Sequence, residues 1–161
     1  MTRYLTLGGA QMASVIGDLD ANLATHRRLI GQARDLGVDC LVFPELSLTG
    51  HYGAENLLDM AMHRDDARLI DLSREAGGME IVVGFIEEGP AAQFYNAAAV
   101  LRNGRLVYIH RKLNLPSYGR LVETKYYALG RFVDTHPMRG NWRMGLLICA
   151  DLYNPALVHL S

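Results

Sequence analysis

The sequence predicts an α/β fold, and three features carry that reading: apolar runs of strand length, helical stretches between the first of them, and one Asn-Gly hairpin signal. Tyr4 to Met12 is apolar or small and reads as a buried strand. Gly17-Asp18-Leu19-Asp20 forms a turn in which Asp18 or Asp20 can cap the following helix. Leu19, Leu23, Ile30, Ala33 and Leu36 then recur at helical spacing, and Gly37 supplies the terminator. Val38 to Phe43 is nearly all apolar, as suits a strand buried on both faces, and ends at Pro44-Glu45.

Asn56 to Ala76 reads as a second helix ending at Gly77-Gly78, with Arg64-Asp65-Asp66 as a place where it can break. Ile81 to Ile86 is a third strand. Ala97 to Leu101 and Arg105 to His110 are two more, joined through Asn103-Gly104. Gly130 to Trp142 reads as irregular, and Met144 to Ile148 as a final strand running into Cys149. With 161 residues, half of them apolar (50%), the chain fits one domain, residues 1-161, without repeats or a linker.

Sixteen basic against seventeen acidic residues leave a net charge of -1, which offers no footprint for nucleic acid or an anionic membrane and favours a small, nearly neutral partner. No apolar run approaches the roughly 20 residues that span a bilayer, and the opening Met1-Thr2-Arg3-Tyr4 lacks a signal core, so the cytoplasm is the default location. The two cysteines, Cys40 and Cys149, are expected to be free thiols, Cys40 as a core filler.

A carboxylate, an ammonium and a thiol fall at or just past three strand ends: Glu45, Lys112 and Cys149. Sites of α/β folds gather there, because the sheet is a rigid frame and the loops beyond it vary. A thiol needs a proton acceptor and a nearby cation before it attacks a carbonyl, and the same cation, with a backbone N–H such as that of Ala150, can hold the resulting oxyanion. That is acyl transfer without histidine. His51, His110 and His136 lack close metal-ligand pairing and are expected to be structural or substrate-lining, with no metal. Tyr118, Tyr126 and Tyr127 are candidate pocket residues.

The sequence resembles the nitrilase superfamily nearly end to end. Ala10-Gln11, Gly17-Asp18 and Asn22 are similar to the family's opening, Phe43-Pro44-Glu45-Leu46 with Thr49-Gly50 to its glutamate motif, and Tyr95-Asn96-Ala97 with Gly104 to its central hairpin. Arg111-Lys112-Leu113 with Leu115-Pro116 and Tyr118-Gly119 resembles its lysine motif; Ile148-Cys149-Ala150-Asp151 with Pro155 resembles its cysteine elbow. The resemblance implies a four-layer α-β-β-α sandwich, a Glu45–Lys112–Cys149 triad, Glu123 as a second carboxylate that positions substrate or tunes Lys112, and no cofactor. Ala150-Asp151 stands where true nitrilases carry Trp-Glu, which favours amide over nitrile substrates, and Pro155-Ala156 replaces a common Pro-Glu.

The expected activity is therefore cleavage of a small amide or N-carbamoyl compound through a cysteine thioester. The stretch from Lys112 to Gly119 is also similar to the glutaminase domain of glutamine-dependent NAD synthetases, which makes glutamine hydrolysis the first alternative. Family members continue well past the elbow, whereas only Ala150–Ser161 follows Cys149 here. The sequence thus reads as the N-terminal part of the sandwich. A homo-oligomer or association with a missing second part is expected, and a non-catalytic fragment or interaction subunit is the remaining alternative.

Overall fold

The computed structural model describes residues 4–51, 57–119 and 121–161. Five strands form one sheet in the order β1 (Leu7–Gly9), β2 (Cys40–Val42), β3 (Glu80–Glu88), β4 (Phe94–Arg102) and β5 (Arg105–Arg111). The first three run parallel, joined by helical crossovers; β3, β4 and β5 are antiparallel. Helix α1 (Leu19–Asp35) links β1 to β2, and α2 (Leu57–Met60) with α3 (Ala67–Glu75) lies between β2 and β3. Strands β6 (Thr135–Pro137) and β7 (Arg143–Gly145) make a second, two-stranded sheet, and α4 (Pro155–Leu160) closes the chain.

Strand alternation divides the core in two. Ile81, Val83 and Phe85 of β3 and Ala97, Ala99 and Leu101 of β4 point to one face, where they bury against Leu23 and Ile30 of α1 and Leu69 and Leu72 of α3. Val82, Ala98 and Val100 point to the other face and pack with Met138 and Ile148, joined by Tyr108 and Met144. The layers are helices, the large sheet, then the small sheet, a mixed α/β sandwich.

Local chemistry explains the termini. Asp18 caps α1 through the Ala21 N–H at 3.0 Å, and Gly37 follows at φ +68. Asn103 and Gly104 turn the β4–β5 hairpin at φ 52 and 72, the pair of positive angles a type I′ turn requires.

Five expectations are corrected. The first strand is neither as long as Tyr4–Met12 nor buried: β1 is Leu7–Gly9, and Tyr4 and Leu7 are exposed. Asn56, the expected start of the second helix, lies outside the described residues, and the remainder is two helices. Met62 breaks it by pairing its backbone with β3 (Met62 N to Ile86 O 2.9 Å, Glu88 N to Met62 O 2.9 Å), and Asp66 then caps α3 through the Arg68 N–H. Leu36 is not on the buried stripe; it is 79% exposed beyond the last turn of α1. Gly130 to Trp142 is not wholly irregular, since it contains β6. The final strand is β7, displaced to Arg143–Gly145; Leu146–Ile148 leaves the pairing and leads into a 3₁₀ turn, Cys149–Tyr153. Cys40 is buried as expected.

Two features seat the turn that carries Glu45. From α1, Asn22 donates to Leu48 O at 2.9 Å, and His26 joins Ser47 Oγ at 3.0 Å while stacking on Phe43. From β3, Gly84 takes the turn directly against its backbone: a Cβ there would meet Leu46 N at 2.4 Å and Pro44 O at 2.5 Å. Only a residue without a side chain fits.

Two predictions follow from these contacts. Gly84→Ala is expected to cost about 1–3 kcal/mol by urea denaturation, whereas Gly31→Ala, which meets nothing within 4 Å inside α1, should stabilise by up to about 1 kcal/mol; equal effects would show that the close approach at Gly84 is relieved cheaply. Burial lowers His26 from 6.5 to about 4, against the opposing hydrogen bond to Asn22 O. Between those values the unfolded chain takes up a proton that the folded chain refuses, so stability falls as pH drops, by roughly 3 kcal/mol in full. Urea midpoints at pH 7.5 and 4.5 should therefore differ less in His26→Gln than in the unaltered chain.

Candidate active site

Glu45, Lys112, Glu123 and Cys149 come from four separate segments and meet at one end of the large sheet. Glu45 sits in the turn after β2, Lys112 directly after β5, Glu123 at the start of a 3₁₀ turn (Glu123–Lys125), and Cys149 at the start of the 3₁₀ turn after β7. Lys112 Nζ donates to Glu45 Oε1 at 2.6 Å and to Glu123 Oε1 at 2.9 Å, with the Lys112 side chain fully enclosed. Its backbone is held as firmly: Lys112 N donates to Asn96 O at 2.9 Å, and Gly130 N donates to Lys112 O at 2.8 Å. Gly130 can make that approach because it lacks a Cβ, which would lie 2.0 Å from Arg111 O.

The charges explain the titration of each group. Burial alone would drive Lys112 toward neutrality, but its bonds to Glu45 and Glu123 outweigh that and raise its pKa, so it stays protonated. For Glu45, burial is again the largest influence and opposes the charge. Hydrogen bonds from His51, Lys112 and Asn96, with the Lys112 charge, overcome it and hold Glu45 at about 2. Burial and the Glu45 charge push the Cys149 thiol above its ordinary value, and Lys112 offsets this only in part. The resting site therefore holds a thiol, a carboxylate and an ammonium.

Cys149 is exposed and adopts φ +46, a strained angle for a residue with a side chain. Ala150 follows it at the start of the 3₁₀ turn, where an N–H lacks an intrahelical acceptor, the position expected of an oxyanion donor. His51 Nε2 lies 3.5 Å from Glu45 Oε2, and the contact raises the imidazole pKa. Tyr127 is also close: burial, then the charges of Glu123 and Glu45, raise its phenol. Tyr118 stands 67% exposed where the lysine loop ends. Ligand atoms of Glu45, His51 and Glu123 lie within 4.8 Å of one another, a spacing a metal ion could bridge, but the Lys112 ammonium already binds both carboxylates.

Sequence reasoning assigned no site role to Asn96 or Asp151, and it gave His110 a structural place without its partner. Asn96 Nδ2 donates to Glu45 Oε1 at 2.7 Å. Asp151 is fully buried, bonded to His110 Nε2 at 2.9 Å and to the backbones of both the lysine loop and the elbow. The signal was present for Asn96, an amide opening an otherwise apolar strand, and absent for His110, whose partner is distant in sequence. A separate cavity of about 430 Å³, lined by Arg64, Tyr95, Arg111 and Phe132 among others, includes none of the four clustered side chains.

Comparison with known proteins identifies the family and the fold. The carbon-nitrogen hydrolase family matches residues 6–161. A glutamine-dependent NAD(+) synthetase of Thermotoga maritima is 33% identical over 149 residues, covering 91% of this chain and 25% of that protein. The structure of a glutamine-dependent NAD+ synthetase from Acinetobacter baumannii superposes with a TM-score of 0.81 at 29% identity, over 95% of this chain and 29% of that one. An amidase from Nesterenkonia sp. shares the fold with a TM-score of 0.80 at 21% identity, over 96% of this chain and 59% of its own. The chain thus spans about a quarter of the length of the curated relatives it matches first. On the match across nearly its whole length, this chain belongs to the carbon–nitrogen hydrolase family.

Proposed function

We propose that this chain carries the cysteine site of an amidohydrolase that releases ammonia from a carboxamide, with glutamine the favoured substrate and small amides or N-carbamoyl compounds the second choice. The observation that carries the reading is a buried lysine shared by two carboxylates beside an exposed thiol on a strained turn. Glutamine is placed ahead of other amides because the relatives at 33% and 29% identity are named glutamine-dependent synthetases.

In the proposed reaction the Cys149 S–H proton passes to Glu45 as sulfur bonds to the carboxamide carbon, and the carbonyl oxygen becomes an oxyanion held by Lys112 Nζ and the Ala150 N–H. Collapse breaks the C–N bond, and the proton on Glu45 leaves with the amine as ammonia. Glu45 next takes a proton from water, hydroxide adds to the thioester, and the acid departs as the thiol re-forms. The proton cannot rest on Glu45 while the hydrogen bonds from His51, Lys112 and Asn96 and the Lys112 charge hold it at about 2. Transfer is therefore coupled to attack: as charge builds on the substrate oxygen, the ammonium shifts toward it and Glu45 becomes a stronger base. Glu123 keeps Lys112 charged and in place throughout.

Ammonia release should be greatest from glutamine in a panel with aliphatic amides and ureido acids. Cys149→Ala should abolish it, and Lys112→Met should reduce kcat by about 10²–10³-fold. Release from ureido acids alone would move the substrate to carbamoyl compounds; release from nothing would favour a non-catalytic chain.

The electrostatics give a second test, because Glu45 raises the Cys149 pKa. Glu45→Gln removes that charge, so its thiol should react with iodoacetamide faster at pH 7.5 while amide hydrolysis collapses. A Glu45→Gln chain slower in both reactions would show that Glu45 forms a standing thiolate in the resting site.

A further inference from the structure

We propose that Asp151 is a positioning residue that sets Cys149 against Lys112, a role beyond capping its own turn. The proposal rests on the hydrolase reading of the site. The Asp151 carboxylate is 0% exposed and accepts four N–H groups. Leu113 N at 3.0 Å and Asn114 N at 2.7 Å reach Oδ1; Ile148 N at 3.1 Å and His110 Nε2 at 2.9 Å reach Oδ2. These donors flank the reacting residues in sequence. His110 and Leu113 stand on either side of the stretch containing Lys112, and Ile148 immediately precedes Cys149. A further link, Asn114 Nδ2 to Ala150 O at 3.4 Å, ties the same two segments.

A cap needs only the local bond to Ile148 N. The other three donors lie far away in sequence, on the strand and loop that deliver the ammonium, so most of the carboxylate's hydrogen bonding goes to aligning two segments. The elbow requires such an anchor, because Cys149 sits at φ +46 and an unheld turn would relax from that angle. The residue type fits as well. A carboxylate offers acceptors on both oxygens, whereas an asparagine would turn an NH₂ against one pair of these donors.

The test compares Asp151→Asn with Asp18→Ala, which removes the α1 cap and weakens the fold away from the site, each checked for folding by circular dichroism. Asp151→Asn is expected to lower kcat roughly 10- to 100-fold with KM changed much less. The pH midpoint for iodoacetamide alkylation of Cys149 should move down toward that of a free thiol, because the thiol drifts from the carboxylates that raise it. Asp18→Ala should leave that midpoint in place. His110→Leu removes one of the four donors, should act in the same direction more weakly, and decides the matter where Asp151→Asn does not fold. Unchanged kcat and an unchanged alkylation profile, or an activity loss that only tracks the unfolded fraction, would overturn the proposal. Should the unaltered chain hydrolyse no amide, the hydrolase reading fails by itself and the alkylation profiles still report whether Asp151 places the thiol.

Discussion

Enclosing an ammonium costs several kcal/mol unless anions come with it, and the enclosed side chain of Lys112 brings two. Much of the sheet's layout answers to that requirement. Glu45 follows β2 and Lys112 follows β5, with β3 and β4 between them. Three strand spacings amount to roughly 14 Å, about the whole reach of the two side chains fully extended toward each other. The glutamate turn closes the gap by crossing above β3, which is possible because Gly84 has no side chain to obstruct Pro44 and Leu46. On β4, Asn96 then binds Glu45 through its amide and Lys112 through its backbone carbonyl. Gly84 on β3, Asn96 on β4 and Lys112 just past the end of β5 together bring carboxylate to ammonium.

The same cluster sets the chemistry of the thiol. Burial raises the Cys149 thiol, and the two carboxylates add to that rise more than the one ammonium offsets it. A thiolate stored by a cation would be reactive toward any electrophile that entered. Here reactivity waits for a carbonyl oxygen that can draw on the Lys112 ammonium, so in the proposed reaction the substrate itself completes the activation. On that reading, selectivity for carbonyl compounds would come from the burial and charge balance before pocket shape contributes.

Features whose cause is local were legible in the sequence. Asp18 caps α1 and Asn103-Gly104 turns a hairpin because each acts on neighbouring backbone. Glu45 and Lys112 were visible because strand ends are visible, and one end of this sheet is where they meet. What escaped depends on distant partners. Residues 56–76 look continuous as a helix until Met62 is seen to pair with Glu87 of β3. The strand Thr135-His136-Pro137 is three residues long with no apolar alternation, so only its pairing with β7 identifies it. Gly84 carried a readable signal, a glycine within an apolar strand, which marks a close approach of backbone; its partner could not be named from sequence. Asp151 was visible only as a letter in the elbow motif, since three of its four donors lie in the strand and loop around Lys112.

Three carboxylates divide the work around Lys112. Glu45 and Glu123 grip the ammonium, while Asp151 grips the backbone just beyond it and the residue before Cys149. Their environments suit these tasks. Asp151 is sealed and all its oxygen contacts are with protein donors, with the donors holding its pKa below the usual carboxylate range against the burial that opposes them, so it stays charged as the outer groups exchange protons. Glu45 keeps a side chain 16% open beside the exposed thiol, where substrate and water arrive in the proposed reaction. A carboxylate that shuttles a proton has to be reachable and have its basicity tuned by a neighbour that can let go. A carboxylate that holds geometry should be neither reachable nor adjustable, and the division between Glu45 and Asp151 follows from where each lies relative to Lys112.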